Sequence, residues 1–430
     1  MKNNRIKNTM GMIKHKQYRS NNFSNKKLNI FLLCSVFCFL QSYGQTLRDY
    51  VNEAAQNNPK LKAIQYNYEA NLEKVNEVGS LPNTKIGAGY FVSEPETRTG
   101  AQKIKLSASQ SLPWFGTLKA KKDKEVLSSQ VLKNDMEILR AKLSLDVKKR
   151  YYELYALKSK RKILEKQKQL LENYKEISIS KVSNNKASAV DVLKINIAQN
   201  QLDNHIEILK GDILNTETSF NKILDRDGFD DLVIPHNLFI PDEEPTLSVD
   251  DVTYHPELLK YDVLSEILQA QQKINDKERL PGLSLGLDYV VVEERPNLDF
   301  SDNGKDIVMP MVSFSIPLLS KKFKSRNRQF ELQQENYTQQ RDAEQNKLEE
   351  ILEKAINNRI TSRINYTTQI KNIEQSKQAE DVALSVYQTG RLDFNELLEI
   401  QDMILEFEIK KIESIKDYFI QTAIINYLSN

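Results

Sequence analysis

The chain has 430 residues, with 61 basic and 59 acidic side chains, a net charge of +2, four histidines and two cysteines. Near-neutral charge removes the electrostatic case for nucleic-acid binding. No run of 18 apolar residues occurs after Gln45, so any membrane span in the chain has to be built from β-strands.

Residues 1–44 read as a secretory signal. Eight basic residues (Lys2, Arg5, Lys7, Lys14, Lys16, Arg19, Lys26, Lys27) and no acid precede an apolar stretch from Leu28 to Leu40, followed by Ser42-Tyr43-Gly44. This is the order of n-region, h-region and cleavage site, and the apolar core is too short for a spanning helix. The n-region is long enough that translation could also begin at Met10 or Met12. Cys34 and Cys38 both lie in the signal, so its removal excludes disulfides and thiolate chemistry. The remaining chain carries 53 basic and 59 acidic residues, a net charge of −6.

The rest of the chain divides into residues 45–225, a linker at 226–251 and residues 252–430. In the first part, short helices are expected over Leu47 to Gln56 and Lys60 to Gly79. Residues 84–92 and 103–112 then alternate. Ile86, Ala88, Tyr90 and Val92 share one side of the first segment. Ile104, Leu106, Ala108 and Leu112 share one side of the second, opposite Lys103, Lys105, Ser107, Ser109 and Ser111. Alternation with period two over about ten residues matches the length and pattern of a transmembrane strand. From Pro113 to Pro235 there is no proline. Leu118 to Lys181 can form one helix about 95 Å long, and a break at Ser183-Asn184-Asn185-Lys186 leads into a return helix over Ala187 to Leu224.

The linker contains Pro235, Pro241 and Pro245, with a short strand expected at Leu232 to Ile234. The second part then repeats the first. Asn58-Pro59 returns as His255-Pro256, Leu81-Pro82 as Leu280-Pro281, and Ser111-Leu112-Pro113 as Ser315-Ile316-Pro317, at offsets of 197, 199 and 204. Such a period is far too long for a solenoid and reads as a duplicated domain. Strands are expected at 283–292 and 307–316, with Pro310 at a bulge or near the strand's start. A long helix over Lys321 to Gln388, a break at Thr389-Gly390-Arg391 and a return helix over Leu392 to Leu428 complete the copy.

Enzyme chemistry has little support. His15, His205, His236 and His255 are scattered, no HExxH or P-loop occurs, and Gly87-Ala88-Gly89 lacks the third glycine of a dinucleotide loop. No cofactor, metal or nucleic acid is expected. A secreted coiled-coil scaffold or adhesin would explain the long helices, but not the paired strands or the duplication. A periplasmic adaptor would need a lipoyl-like β-domain and a single hairpin. Four spanning strands cannot close a barrel, since even small ones use about eight. The patterns therefore imply an oligomeric β-barrel with a long helical extension.

Asn58-Pro59, Leu81-Pro82, Ser111-Leu112-Pro113-Trp114-Phe115-Gly116 and above all Tyr387-Gln388-Thr389-Gly390 with Glu396-Leu397-Leu398-Glu399 carry a resemblance. From Leu47 onward the chain resembles the outer-membrane efflux factor family of TolC-like channels. The resemblance implies an α+β membrane protein: a homotrimer whose 12-stranded barrel, four strands per chain, crosses the bacterial outer membrane and continues as a periplasmic α-helical barrel. It implies docking to a periplasmic adaptor and to an inner-membrane pump or type I secretion transporter. The Ser-Leu-Pro-Trp-Phe-Gly segment resembles channels that serve pumps of the resistance-nodulation-division class. The family's periplasmic aperture lies just after the hairpin glycine, Gly390 in this chain. There the resemblance points to Glu396 and Glu399, with Asp191 in the first half, where Lys194 departs from an acidic ring. Tyr387 matches a gate tyrosine, with Arg391 as the nearest restraining cation.

Overall fold

The computed structural model describes residues 46–184, 188–243, 252–297, 299–318 and 321–429. The expected signal at 1–44, Asn185 and Lys186 of the first break and residues 244–251 of the proline linker lie outside the described residues. The elements are α1 (Leu47–Asn57), α2 (Pro59–Val78), β1 (Lys85–Tyr90), β2 (Glu96–Thr97), β3 (Gly100–Leu112), α3 (Thr117–Ser183), α4 (Ala189–Ile223), α5 (Pro256–Glu278), β4 (Gly282–Glu293), β5 (Ile307–Ser315), α6 (Lys321–Gln388) and α7 (Phe394–Leu428). The order helix, strand, strand, long helix, return helix thus occurs twice, interrupted only by the two-residue β2.

The first of the repeated X-Pro pairs, Asn58-Pro59 and His255-Pro256, are helix starts. Asn58 caps α2 by accepting from the Lys60 and Leu61 amides, and His255 caps α5 by accepting from the Glu257 amide. In both, proline takes the first helical position, where its missing N–H costs nothing. At 67 and 68 residues, α3 and α6 are each about 100 Å long.

All strand pairs are antiparallel, in the order β1-β3-β4-β5, with β2 on the end of β3. The two halves meet at β3 and β4, where Leu106 faces Tyr289 and Leu112 faces Leu283. Pro310 lies inside β5 opposite Leu287, and the ladder passes it without a bulge. Within this chain β5 is the edge of the sheet, the position where a proline is tolerated. The helices follow the same lateral order. Beside the sheet, α3 packs on α2 and α5, and α5 on α6; farther away, α3 packs on α4 and α7, and α7 on α6.

The core is a set of seams along these helices. Tyr50 of α1 packs on Phe220 and Tyr151, with ring centroids 5.2 and 6.2 Å apart. A second seam joins Leu258, Leu352 and Ile425, and a third joins Tyr155, Ile240 and Tyr418. No strand forms at Leu232 to Ile234. There the Tyr50 hydroxyl receives the Val233 N–H at 2.8 Å and donates to the Val233 carbonyl at 3.3 Å. Both ladder groups of Val233 are thereby engaged by a side chain.

Candidate functional site

The sheet has one apolar and one polar face. Row by row, Tyr90 aligns with Ile104 and Val291; Ala88 with Leu106, Tyr289 and Val308; Ile86 with Ala108, Leu287 and Pro310. These side chains are open to the surroundings: Ile86 is 85% exposed, Val312 61% and Phe314 66%. A contiguous apolar face of this kind is unstable against water. The other face is small and polar. Ser107, Ser109, Ser111, Ser284, Ser313 and Ser315 line it with Gly87 and Gly286. Lys105 Nζ crosses it to Asp288 Oδ2 at 2.5 Å, and the Asp288 side chain is buried. Met309 and Met311 share this side, opposite Asp288 and Gly286.

At the sheet's loop end, charges pair across segments: Arg98 with Asp302 at 2.9 Å, Arg295 with Glu96 at 3.0 Å and Lys103 with Glu293 at 2.6 Å. Among the described residues, no helix is long and apolar enough to cross a membrane.

The hairpin tips lie at the opposite end of α3 and α6. The second tip is closed by a Schellman motif. Gly390, at φ +81°, donates its N–H to the Tyr387 carbonyl, and Arg391 donates its N–H to the Val386 carbonyl. Glycine takes the left-handed position without a Cβ penalty. Asp393 then caps α7 by accepting the Asn395 amide at 2.8 Å.

Tyr387 is buried against the first hairpin. Its hydroxyl meets Ser178 Oγ at 2.9 Å, its ring lies under Lys181 Nζ at 3.6 Å from the centroid, and Lys181 also donates to its carbonyl. Burial pushes the Tyr387 phenol above its ordinary pKa, the Ser178 hydrogen bond opposes this, and Asp191 and Asp393 add to the rise. The structure thus brings Tyr387 and half-buried Asp191 together. Lys181 is the cation on Tyr387, whereas Arg391 is exposed and contributes its backbone to the turn.

Glu396 and Glu399 are exposed on the first two turns of α7. Asp402, one turn further, is pushed above the ordinary carboxylate range by desolvation and then by Glu399. Lys194 lies in the first turns of α4 and donates to Asn395 Oδ1 at 2.7 Å, so the departure from an acidic ring is used as a tie between the hairpins.

Deeper in the tip, Tyr174 donates to Glu380 at 2.6 Å and receives Gln401 Nε2 at 3.1 Å, and Gln401 accepts from Gln167 at 3.2 Å. Burial first, then Glu380, raises the Tyr174 phenol well above its ordinary range. Phe394 packs on Tyr387 and Tyr174. Sequence reading passed over Ser178, Lys181, Tyr174 and Gln401. The i, i+3 spacing of Ser178 and Lys181 just before the first break puts both on one helix face, which is the signal that marks them.

No protein-family model and no curated protein matches the chain by sequence. Solved structures do match over nearly its whole length. The outer membrane protein VceC of Vibrio cholerae aligns with a TM-score of 0.71 at 13% identity, over 89% of this chain and 96% of that one. CusC, solved in work on folding and transmembrane channel formation, aligns at 0.74 and 12%, over 90% and 93%. The CmeC outer membrane channel of Campylobacter jejuni aligns at 0.70 and 16%, over 89% and 85%. With its antiparallel five-stranded sheet, four long strands and the two-residue β2, and its two long helical hairpins, the chain has the fold of the TolC-like outer-membrane efflux channels.

Proposed function

We propose that the chain is the outer-membrane channel of a tripartite efflux or type I secretion system, and that three copies close into one conduit. The observation that carries this reading is the pair of free edges, β1 and β5, on a sheet with an exposed apolar face. Open edges are not tolerated in lipid, and four strands are too few to close. A barrel of twelve strands from three chains removes every edge and turns the apolar face to lipid and the serine face to the lumen. The helices favour the same closure, since α4 and α6 are the lateral edges of the helical layer on the sides corresponding to β1 and β5.

In this reading residues 1–44 are the removed secretory signal. Residues 45–225 and 252–430 are tandem halves of a duplication, joined at 226–251. The barrel sits in the bacterial outer membrane and most of the chain hangs in the periplasm. The hairpin tips meet a periplasmic adaptor and, through it, an inner-membrane pump of the resistance-nodulation-division class or a type I secretion transporter. Conduction is passive, with no catalytic residue or cofactor. Glu396, Glu399 and Asp191 form the acidic aperture; Tyr387, Gly390 and Arg391 belong to its gate. Stacked carboxylates at a constriction favour cations. Opening is a rearrangement of hairpins that partner binding favours.

A secreted scaffold or adhesin and a periplasmic adaptor both lack a use for the exposed apolar sheet face. Membrane fractionation with detergent extraction tests the proposal. The outer-membrane fraction should yield a particle with the mass of three chains, and a soluble periplasmic monomer would overturn it.

A further inference from the structure

The duplication fixes more than the order of elements. The sequence offset of 199 between Leu81-Pro82 and Leu280-Pro281 relates β1 to β4, and that of 204 between Ser111-Leu112-Pro113 and Ser315-Ile316-Pro317 relates β3 to β5. The same offsets carry the strand register. Lys85 faces Ser109, and the residues at those offsets, Ser284 and Ser313, face each other. Ile86 with Ala108 likewise becomes Leu285 with Val312, and Tyr90 with Ile104 becomes Tyr289 with Val308. The pairing inside the first half is thus reproduced residue for residue inside the second.

The strand contact that joins the halves has no counterpart among the described residues. There β3 pairs with β4, placing Leu106 on Tyr289, Ala108 on Leu287 and Gln110 on Leu285. Its counterpart would join β5 to β1, and each of these strands has a free edge. The groups on those edges match. Phe91 donates its N–H to the Lys103 carbonyl at 2.9 Å, so by alternation the backbone groups of Ile86, Ala88 and Tyr90 point away from β3. Pro310 lies in an unbroken ladder with β4. Its nitrogen, which has no hydrogen to give, therefore points to the free side, as do the backbone groups of Val312 and Phe314. The same six residues share the apolar face.

We infer that β5 of one copy pairs with β1 of the next in a single register, with Phe314 opposite Ile86, Val312 opposite Ala88 and Pro310 opposite Tyr90 of the next copy. The register rests on the closed-barrel reading given above, and it is the β3–β4 contact carried forward by the same two offsets. It sets Phe314 beside Ile86, both largely exposed in the single chain, as an aromatic and β-branched pair of the kind that stabilises sheets. On the serine face Met311 falls opposite Gly89, where the space is open. Barrel geometry agrees. Along one row, Ile86 leads through Ala108, Leu287 and Pro310 to Tyr90 of the next copy, one turn of the barrel being three such steps up the strand. Steps of this size tilt the strands by about 35°, within the ~35–45° that such barrels adopt. With Ala88 opposite Pro310 the tilt would be only about 20°. With Ala88 opposite Phe314 it would be about 45°, so the duplication, not the tilt, decides between that register and the one inferred. In the helices, the packing of α3 on α5 and α7 carries forward to α6 on α2 and α4 of the next copy. Both edge helices bear exposed apolar side chains, among them Ile364 and Val382 on α6 and Leu193 and Ile197 on α4.

The test places cysteine pairs across the seam of the full processed chain and treats membranes with a membrane-permeant oxidant. Residues directly opposite in a hydrogen-bonded pair stand about 5.5 Å apart between Cα atoms, within reach of a disulfide, and a slip of two residues takes them out of reach. Ala88→Cys with Val312→Cys, and Ile86→Cys with Phe314→Cys, should each move the chain from the monomer band into dimer and trimer bands. Ala88→Cys with Pro310→Cys, and Ala88→Cys with Phe314→Cys, should stay at the mass of one chain while reaching the membrane fraction equally. The two matched pairs report one register from different rows, so a local disturbance at either leaves the other to decide. Crosslinking of a slipped pair in place of the matched pairs would overturn the register and leave closure standing. No crosslink in any of the four variants, in protein that has reached the membrane fraction, would overturn the register together with the closed-barrel reading beneath it.

Discussion

Lys181 of the first hairpin caps the second: its ammonium lies 3.6 Å from the centre of the Tyr387 ring and donates to the Tyr387 carbonyl, in the last turn of α6. A cation at that position satisfies a carbonyl at the negative end of the helix dipole and gains from the aromatic face. Lys181 thus joins the two hairpins at their tips, beside the Ser178–Tyr387 and Lys194–Asn395 contacts.

Replacing Lys181 with Met keeps the aliphatic stem and removes the charge. The tie between tips should weaken by about 2 kcal/mol. Hydrogen exchange of the amides around 386–396 should speed up, and single-channel records should show more frequent or larger openings.

The Tyr387 hydroxyl and Ser178 Oγ form a buried pair at 2.9 Å. Tyr387→Phe or Ser178→Ala alone should each cost about 1 kcal/mol of tip stability. The double variant should cost less than the sum of the two, because no buried hydroxyl is left unmatched. A double-mutant cycle on exchange rates measures this.

Glu396→Gln with Glu399→Gln should lower cation selectivity in bilayer recordings and leave the mass of the detergent-extracted particle unchanged, since both side chains are exposed. Unchanged selectivity would rule out their role as the filter.

The sheet faces differ in what they accept. Leu287→Arg places a charge in the middle of the apolar face and should cost about 2–4 kcal/mol, seen as lost membrane insertion. Ser109→Arg, on the opposite face and one row away, should insert normally and alter conductance.

Much of this was legible in the chain, for physical reasons. Alternation fixed which residues of β1, β3 and β4 share a face, because a strand has only two sides. Proline-free, Lys- and Glu-rich runs marked α3 and α6 nearly to the residue. The partner of Tyr387 was not legible. Arg391 is near it in sequence, but the Schellman turn spends the Arg391 backbone on closing the helix, while Lys181, 206 residues away, reaches the ring through packing of the two hairpins. The strand expected at Leu232 to Ile234 failed for a similar reason, since a distant hydroxyl, that of Tyr50, engages Val233. The two-residue β2 offers no pattern to read.

Acid should loosen the junction of α3, α5, α6 and α7. Glu257 accepts from the Tyr427 hydroxyl at 2.6 Å and pairs with Lys142 at 2.7 Å. Burial pushes its carboxyl up, but hydrogen bonds with Glu344, Lys142 and Tyr427 outweigh this and hold it down at about 2. The folded pKa lies below the ordinary 4.5, so the stabilisation is complete above that pH and is lost as pH falls toward 2. His255, pushed down from 6.5 mainly by burial, loses stability on protonation as pH falls below 6.5. Glu257→Gln should flatten the lower part of the acid-unfolding curve, and His255→Gln the upper part.

Closure of the sheet by other copies is the centre of the account, and disulfide trapping tests it most directly. Ala88 of β1 and Val308, Pro310 and Val312 of β5 sit on the same face at opposite edges. Within one chain three strand spacings, about 14 Å, separate these edges, too far for a disulfide. Ala88→Cys paired in turn with Cys at 308, 310 or 312, in protein lacking Cys34 and Cys38 after processing, should on oxidation give a covalent ladder that ends at three chains. Absence of crosslinks at all three positions, or a ladder running past three, would contradict the account.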